Sequence, residues 1–246
     1  MNMIMCISFV LIHWYLSLFC QSFFLHRFAS HRMFEMSVFW QRFFYLLTFI
    51  AQGTSFLNPS AYATLHNRHH LHSDEPEDPH SPHQNPNIFI MMWNTFKLYD
   101  KFVKKEVEIP STFQFSVFEG MDRVTDSWLV RLCWVPIYIG IYVYFAPSIY
   151  YYPLILVHCF MGPIHGAIVN WCGHKYGYRN YDLDDHSQNT LWVDFLMMGE
   201  LYQNNHHKAC RSWNFARKWF ELDLTFVVMR MMQFVGIIRP QSVQIA

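Results

Sequence analysis

Residues 3–25 contain no Asp, Glu, Lys or Arg, and that run constrains the fold more than any other feature of the chain. At about 1.5 Å of rise per residue, a helix over it spans roughly 35 Å, enough to cross the hydrocarbon core of a bilayer. A secretory leader is the rival reading. It wants a basic start and a small-residue cleavage site, and neither is present. A second charge-free region covers residues 132–174. It is too long for one crossing and is interrupted at Ala146-Pro147-Ser148. A hairpin is therefore expected, with spans over about 128–146 and 148–171, the first capped by Asp126 or Ser127. Residues 33–57 are also apolar, but Glu35 and Arg42 interrupt them and only 43–57 remain uncharged before Asn58-Pro59. That is short of the ~17–25 residues a crossing needs. A single crossing there would also separate the histidine clusters described below, so a re-entrant or interfacial segment is expected.

Composition supports a membrane protein: 52% of the 246 residues are hydrophobic and 15% are charged, against roughly 25% in a soluble domain. Eighteen Lys and Arg balance eighteen Asp and Glu, with none of the basic excess that a nucleic-acid surface needs. Every Lys and Arg lies outside residues 1–26 and 132–174. By the positive-inside rule, residues 58–127 and 172–246 are expected to form a cytoplasmic cap. Residues 222–238 are apolar but carry Asp223 and Arg230, which suits an amphipathic interfacial helix. The six cysteines form no Cys-x-x-Cys pair and read as reduced thiols. The expected architecture is one all-α, polytopic membrane domain over 1–246 with three crossings and a helical cap.

The fifteen histidines are nearly as many as the basic residues. Three clusters stand beside the apolar stretches: His26 with His31; His66 with His69 and His70; and Gln203 with His206 and His207. Neutral imidazole is a versatile ligand for transition metals. On a helix, residues four apart stack on one stripe while adjacent residues diverge by about 100°. His66 and His70 would then face one metal and His69 a neighbouring one. Gln203 would stack with His207 while His206 diverges, and Asn170 with His174 forms a further pair. Two metals held between four helical pieces satisfy these constraints. Asp74, Asp78, Asp182, Glu200 and His80 are candidates to orient the imidazoles. The pattern excludes other chemistries. There is no His-Glu-x-x-His zinc helix, no phosphate loop and no Gly-x-Ser-x-Gly elbow. The one Glu-x-x-His spacing, Glu77 to His80, contains Pro79, which would spoil a helix. A membrane metal-binding protein or transporter is the rival of another class. It would place ionisable ligands inside the spans, where only His13, His158 and His165 lie; His13 and His158 read as hydrogen-bonded structural residues.

At these residues the chain resembles the membrane fatty acyl desaturases of the acyl-CoA type, in particular short bacterial members. The resemblance covers roughly residues 10–220. It rests on the order of the three boxes, on Asp78-Pro79-His80, on the stretch from Asn170 through His174 to Arg179, and on Gly199-Glu200. It implies a di-iron site. One iron would take His26, His31, His66, His70 and His206, the other His69, His174 and His207, with Asn170 reaching it through water. The chain departs from the family at Gln203, where the family has a histidine, so the second iron is expected to be the weaker-held. The resemblance further implies an O2-dependent desaturase, acting on a fatty acyl thioester or membrane lipid. Two electrons would come from an external donor, whether a ferredoxin, a cytochrome b5-like protein or a flavoprotein reductase. The boxes are expected on the cytoplasmic side of a bacterial inner membrane, or of the endoplasmic reticulum if the source is eukaryotic. A lipid hydroxylase and an inactive desaturase relative are the alternatives within the class.

Overall fold

The computed structural model describes residues 2–109 and 118–241. The expected single domain over 1–246 and its cap therefore include Met1, 110–117 and 242–246, which lie outside the described residues. In chain order the elements are α1 (Asn2–Phe19), a π-helical continuation (Cys20–Ser30), β1 (Phe34–Met36), α2 (Val38–Gln52), α3 (Pro59–Leu71), α4 (Ile88–Val103), α5 (Glu119–Thr125), α6 (Trp128–Leu132), α7 (Trp134–Phe145), α8 (Leu154–Cys159), α9 (Met161–Gly173), α10 (Gln203–Lys208), α11 (Leu224–Phe234) and β2 (Ile238–Pro240).

Two helical stretches are long and apolar enough to cross a membrane, Met3–Ser30 and Trp128–Phe145. A bent pair, Ile149–Cys159 with Met161–Gly173, makes a third if it is one span. The first is longer than the expected 3–25 because the π-helical stretch continues it to Ser30. α1 turns Ile4, Leu11 and Ile12 outward, whereas every residue of the π-helical stretch is buried. Around that stretch sits the main core: Phe23, Phe24, Phe28, Phe34, Phe44, Tyr45, Phe56, Phe215 and Met229 among others.

The fold is mostly helical, in keeping with the expected all-α class, with one short strand pair; two other expectations, on a helix and on a cap, are corrected. β1 and β2 pair antiparallel, with Phe34 opposite Pro240 and Met36 opposite Ile238; Phe34 and Met36 are buried and Glu35 between them faces out, the period-two pattern of a half-buried strand. The helix expected over 148–171 bends by 71° at Phe160. The cause is Pro163, which offers no N–H to the carbonyl of Cys159. Thr54 Oγ1 donates to that carbonyl instead (3.0 Å), and Gly162 N donates to Ser55 Oγ (3.0 Å). The turn after α2 thus fills the break. It can come so close because Gly53, at φ +53°, lies against the hydroxyl of Tyr138 where a Cβ would collide. Finally, neither expected residue caps α6. Ser127 stands at the N-cap without a side-chain bond, and Asp126 holds Arg131 and Asn58 (both 2.9 Å).

His13, in the first membrane-length helix, and His158, in the bent pair, form one directional chain. Tyr142 O–H donates to His158 Nε2 (2.9 Å), His158 Nδ1 to His13 Nδ1 (2.5 Å), and His13 Nε2 to the carbonyl of Ala51 (2.6 Å). Each imidazole is satisfied while neutral, as apolar surroundings require.

Candidate metal centre

The π-helical stretch explains the first box. In an α-helix residues five apart point about 140° away from each other. The wider π turn closes on residues five apart. Here the His31 N–H donates to the His26 carbonyl (3.1 Å), and both rings are brought to one side. α3 is started by Asn58, whose side chain accepts from Ser60 N and Ala61 N, with Pro59 at its first position. It delivers His66 and His70 on one stripe and His69 on another. α10 brings His206 and His207.

Five Nε2 atoms meet in a closed circuit. His26 and His31 lie 3.1 Å apart, His31 and His66 2.7 Å, His66 and His70 3.0 Å, His70 and His206 2.9 Å, and His206 and His26 3.0 Å. Hydrogen bonds cannot satisfy them all. The His26 Nδ1–H is given to Glu200 Oε2 (2.5 Å), so its Nε2 carries only a lone pair, and a neutral ring has no second proton to share. A cation among the five resolves the conflict.

The second cluster is His69, His174 and His207. All three Nε2 atoms are buried without a hydrogen-bond partner. Each Nδ1 is held by its own carboxylate: Asp78 for His69 (2.8 Å), Asp74 for His174 (2.9 Å) and Asp185 for His207 (2.6 Å). Buried polar atoms without partners are rare and need an explanation. Carboxylate–imidazole pairs with the far nitrogen left bare are the arrangement of metal-binding histidines. The donor set of both clusters, neutral nitrogen throughout, suits a first-row transition metal.

Three of the five proposed orienting residues, Asp74, Asp78 and Glu200, touch cluster imidazoles. His80 holds no cluster ring nitrogen, though its ring packs against that of His69 with centroids 5.7 Å apart; its main-chain N–H donates to Asp78 Oδ1 (2.9 Å) and its ring meets Thr95 Oγ1 (3.0 Å). Asp182 is exposed, and the contact expected of it is made by Asp185. Sequence reasoning passed over Asp185 because the run from Asp182 through Asp184 to Asp185 offers no spacing that selects one acid. It also passed over Arg27, which is fully buried and donates to Asp223 (3.0 Å) and Glu200 (3.4 Å). Its signal was the first charged residue after the charge-free run over 3–25.

Electrostatics favours the neutral, ligand-ready imidazole at most of these positions, His69 excepted. Burial, reinforced by neighbouring imidazoles, holds His31, His66, His70 and His206 well below the usual histidine range. Burial also lowers His207, to about 4, against the pull of Asp185. At His69 burial lowers the pKa too, but Asp78 and the nearby Asp74 and Asp185 outweigh it and the net shift is upward. Burial would raise the carboxylates, yet His69 brings Asp78 down to about 2 and His26 brings Glu200 down to about 2; Asp74 and Asp185 are lowered likewise by His174 and His207.

Gln203 is buried, and its Nε2 donates to the main-chain carbonyl of Glu200 (2.6 Å). Its stem lies in the notch left by Gly173, next to His174. Gln203, Asn170, His26 and His66 all border a cavity of about 730 Å³ whose remaining wall is mostly apolar, including Leu18, Phe56 and Tyr62.

The fatty acid desaturase family model matches residues 2–232. A sn-1 stearoyl-lipid 9-desaturase from Anabaena variabilis is 29% identical over 219 residues, covering 86% of this chain and 74% of the relative. A Delta-9 desaturase-like 4 protein from Arabidopsis thaliana is 26% identical over 224 residues, covering 86% and 68%. An acyl-CoA 5-desaturase from Anemone leveillei is 25% identical over 223 residues, covering 86% and 64%. With the match running through every histidine box, the chain belongs to the fatty acid desaturase family.

Proposed function

We propose that this desaturase is an O2-dependent enzyme with two iron ions, one in each imidazole cluster, and that it introduces a double bond into an acyl chain lying in the cavity. The observation that carries the reading is the presence of two metal-ready clusters beside one largely apolar cavity, which is bordered by His26 and His66 of the first cluster and by Asn170 and Gln203, neighbours of the second in the chain. His26, His31, His66, His70 and His206 would hold one iron, and His69, His174 and His207 the other, with Asn170 close by. Iron so held supplies, with O2 and two electrons, an oxidant able to take hydrogen from an unactivated methylene. The protein does the rest. Asp74, Asp78, Asp185 and Glu200 fix each anchored ring with its Nε2 free. The apolar wall positions the chain and keeps water out.

Phe89, Trp93, Trp128, Leu132, Leu156 and Phe160 border the cavity and are themselves exposed, several of them on membrane-length helices. An apolar rim of this kind suits a chain arriving from the lipid phase, in line with the stearoyl-lipid named for the Anabaena relative. Electrons come from outside, since the sequence has no cysteine cluster for an iron–sulfur centre. The apolar lengths support three crossings and the charge distribution supports a cytoplasmic face for the clusters; the membrane proposed is a bacterial inner membrane, or the endoplasmic reticulum if the source is eukaryotic.

The test is expression in a host lacking desaturases, followed by mass-spectrometric profiling of its fatty acids. A new mono-unsaturated acyl chain is the expected result. A hydroxylated chain would replace this reading with a hydroxylase, and an unchanged profile with iron-loaded protein in the membrane would mark an inactive relative.

A further inference from the structure

The two clusters differ in how many imidazoles they offer, five against three, and the residue beside the poorer one is an amide. Gln203 begins α10, one turn before His207, and its stem is seated against Gly173, the neighbour of His174. Its place in the chain and its seat on Gly173 thus set it beside the segments that carry two of the three imidazoles of the second cluster. Its amide is not free to turn. Nε2 donates to the Glu200 carbonyl at 2.6 Å, and reversing the group would set two oxygens against each other. The amide oxygen is thereby the end left over, on a residue that borders the cavity, with no protein donor among the described residues.

Glu200 makes this arrangement double-sided. Its carboxylate takes the His26 Nδ1–H of the first cluster, together with the hydroxyl of Ser22 (2.5 Å). Its main-chain carbonyl takes the Gln203 amide beside the second. One residue thus sets a ring in one site and an amide in the other.

Resting on the two-iron reading above, we propose that the Gln203 amide oxygen, fixed by the Glu200 carbonyl, completes the second cluster as its fourth protein donor, making a three-imidazole, one-oxygen site that holds its metal less tightly than its five-imidazole neighbour. An amide oxygen is a harder, weaker donor than imidazole toward a late first-row ion. The three aspartates behind His69, His174 and His207 strengthen those rings, but they add no donor of their own. Donor count therefore decides which metal leaves first.

The experiment uses the full-length membrane protein, loaded anaerobically with iron(II) and challenged with chelators of graded strength, with iron counted per chain and the two sites followed by Mössbauer spectroscopy. In the wild type one iron should leave before the other. Gln203→Met keeps the length of the side chain and loses the oxygen; it should weaken the labile iron on the order of 10–100-fold. Gln203→His has the same Cβ and Cγ for the Gly173 notch and should tighten it. Gly173→Ala displaces the Gln203 stem and should weaken the same iron. The tightly held iron should be unchanged in all three, which shows that the fold is intact. Two irons of equal affinity in the wild type, unmoved by Gln203→Met and Gln203→His, would overturn the inference and leave the two-iron reading standing. Wild-type protein that binds iron at neither cluster would overturn both.

Discussion

In the first cluster five Nε2 atoms close a circuit and a single carboxylate, Glu200, touches one of the rings; in the second, three Nε2 atoms face one another and each ring leans on its own aspartate. The surrounding charge differs as well. Glu200 shares Arg27 with Asp223, whereas Asp74, Asp78 and Asp185 have no Lys or Arg in an ion pair among the described residues. In the crowded site burial, reinforced by neighbouring imidazoles, holds His31, His66, His70 and His206 well below the usual histidine range. The sparse one depends on anchored orientation and on a local negative charge that favours a highly charged ion. Redundancy should therefore protect the first metal and not the second.

The largest effects test that redundancy. His207→Ala takes one imidazole of three, and His31→Ala one of five. Both should lower double-bond formation by at least about 100-fold, because each disturbs an iron needed for the chemistry. They should differ in metal content. His207→Ala is expected to purify with one iron per chain and His31→Ala with close to two. Equal loss from both variants would remove the contrast between the sites.

Next in size is the support under the first cluster. Arg27 is buried between Asp223 and Glu200 and packs on the Phe215 ring at 4.1 Å. Arg27→Met would leave two buried acids uncompensated, and breaking such a pair from one side costs about 3–5 kcal/mol. A marked drop in unfolding temperature is expected, with whatever folded protein remains losing iron from the first cluster in preference to the second. An unchanged melting curve would mean that the pair does not stabilise the fold.

Anchors should matter more where ligands are few. Asp78→Asn removes the charge behind His69, and Glu200→Gln the charge behind His26. Losses of metal affinity on the order of 10–100-fold are typical of such changes. The Asp78 variant should lie at the upper end and the Glu200 variant at the lower, since four other rings remain in the first circuit. The reverse order in a chelator titration would show that anchoring and ligand number do not compensate for each other.

How far the sequence anticipated this arrangement depends on the kind of signal. The split of His66 and His70 from His69 follows from α-helical angles alone. The pairing of His26 with His31 does not, because five-residue spacing brings rings together only on a π-helix, and nothing in the stretch from Cys20 to Ser30 announces one. The charge-free runs marked the membrane-length helices. The bend at Phe160 was missed although Pro163 lies within the second run, because the hydroxyls of Thr54 and Ser55 that fill the break come from a distant turn. β1 and β2 escaped for the same reason: three-residue strands acquire meaning only when their partner, some two hundred residues away, is in place.

The smallest expected effect concerns two acids three residues apart. Asp182 is exposed, while Asp185 accepts from His207 Nδ1 at 2.6 Å and also takes the N–H and hydroxyl of Ser187. Charge alone cannot separate them, because both add one negative charge to the same loop. Position can. At an exposed site Asp182→Asn should change stability by no more than about 0.5 kcal/mol and leave iron content and product yield within a factor of about two. Asp185→Asn has the same change in charge and nearly the same shape, but it weakens the support of a ring in the site with three imidazoles, and should lower second-site affinity by about tenfold or more. Metal analysis of the two variants side by side isolates contact from net charge. If both lose iron alike, the field of the loop as a whole holds the second metal, and the individual aspartate–imidazole pairs do not set the difference between the sites.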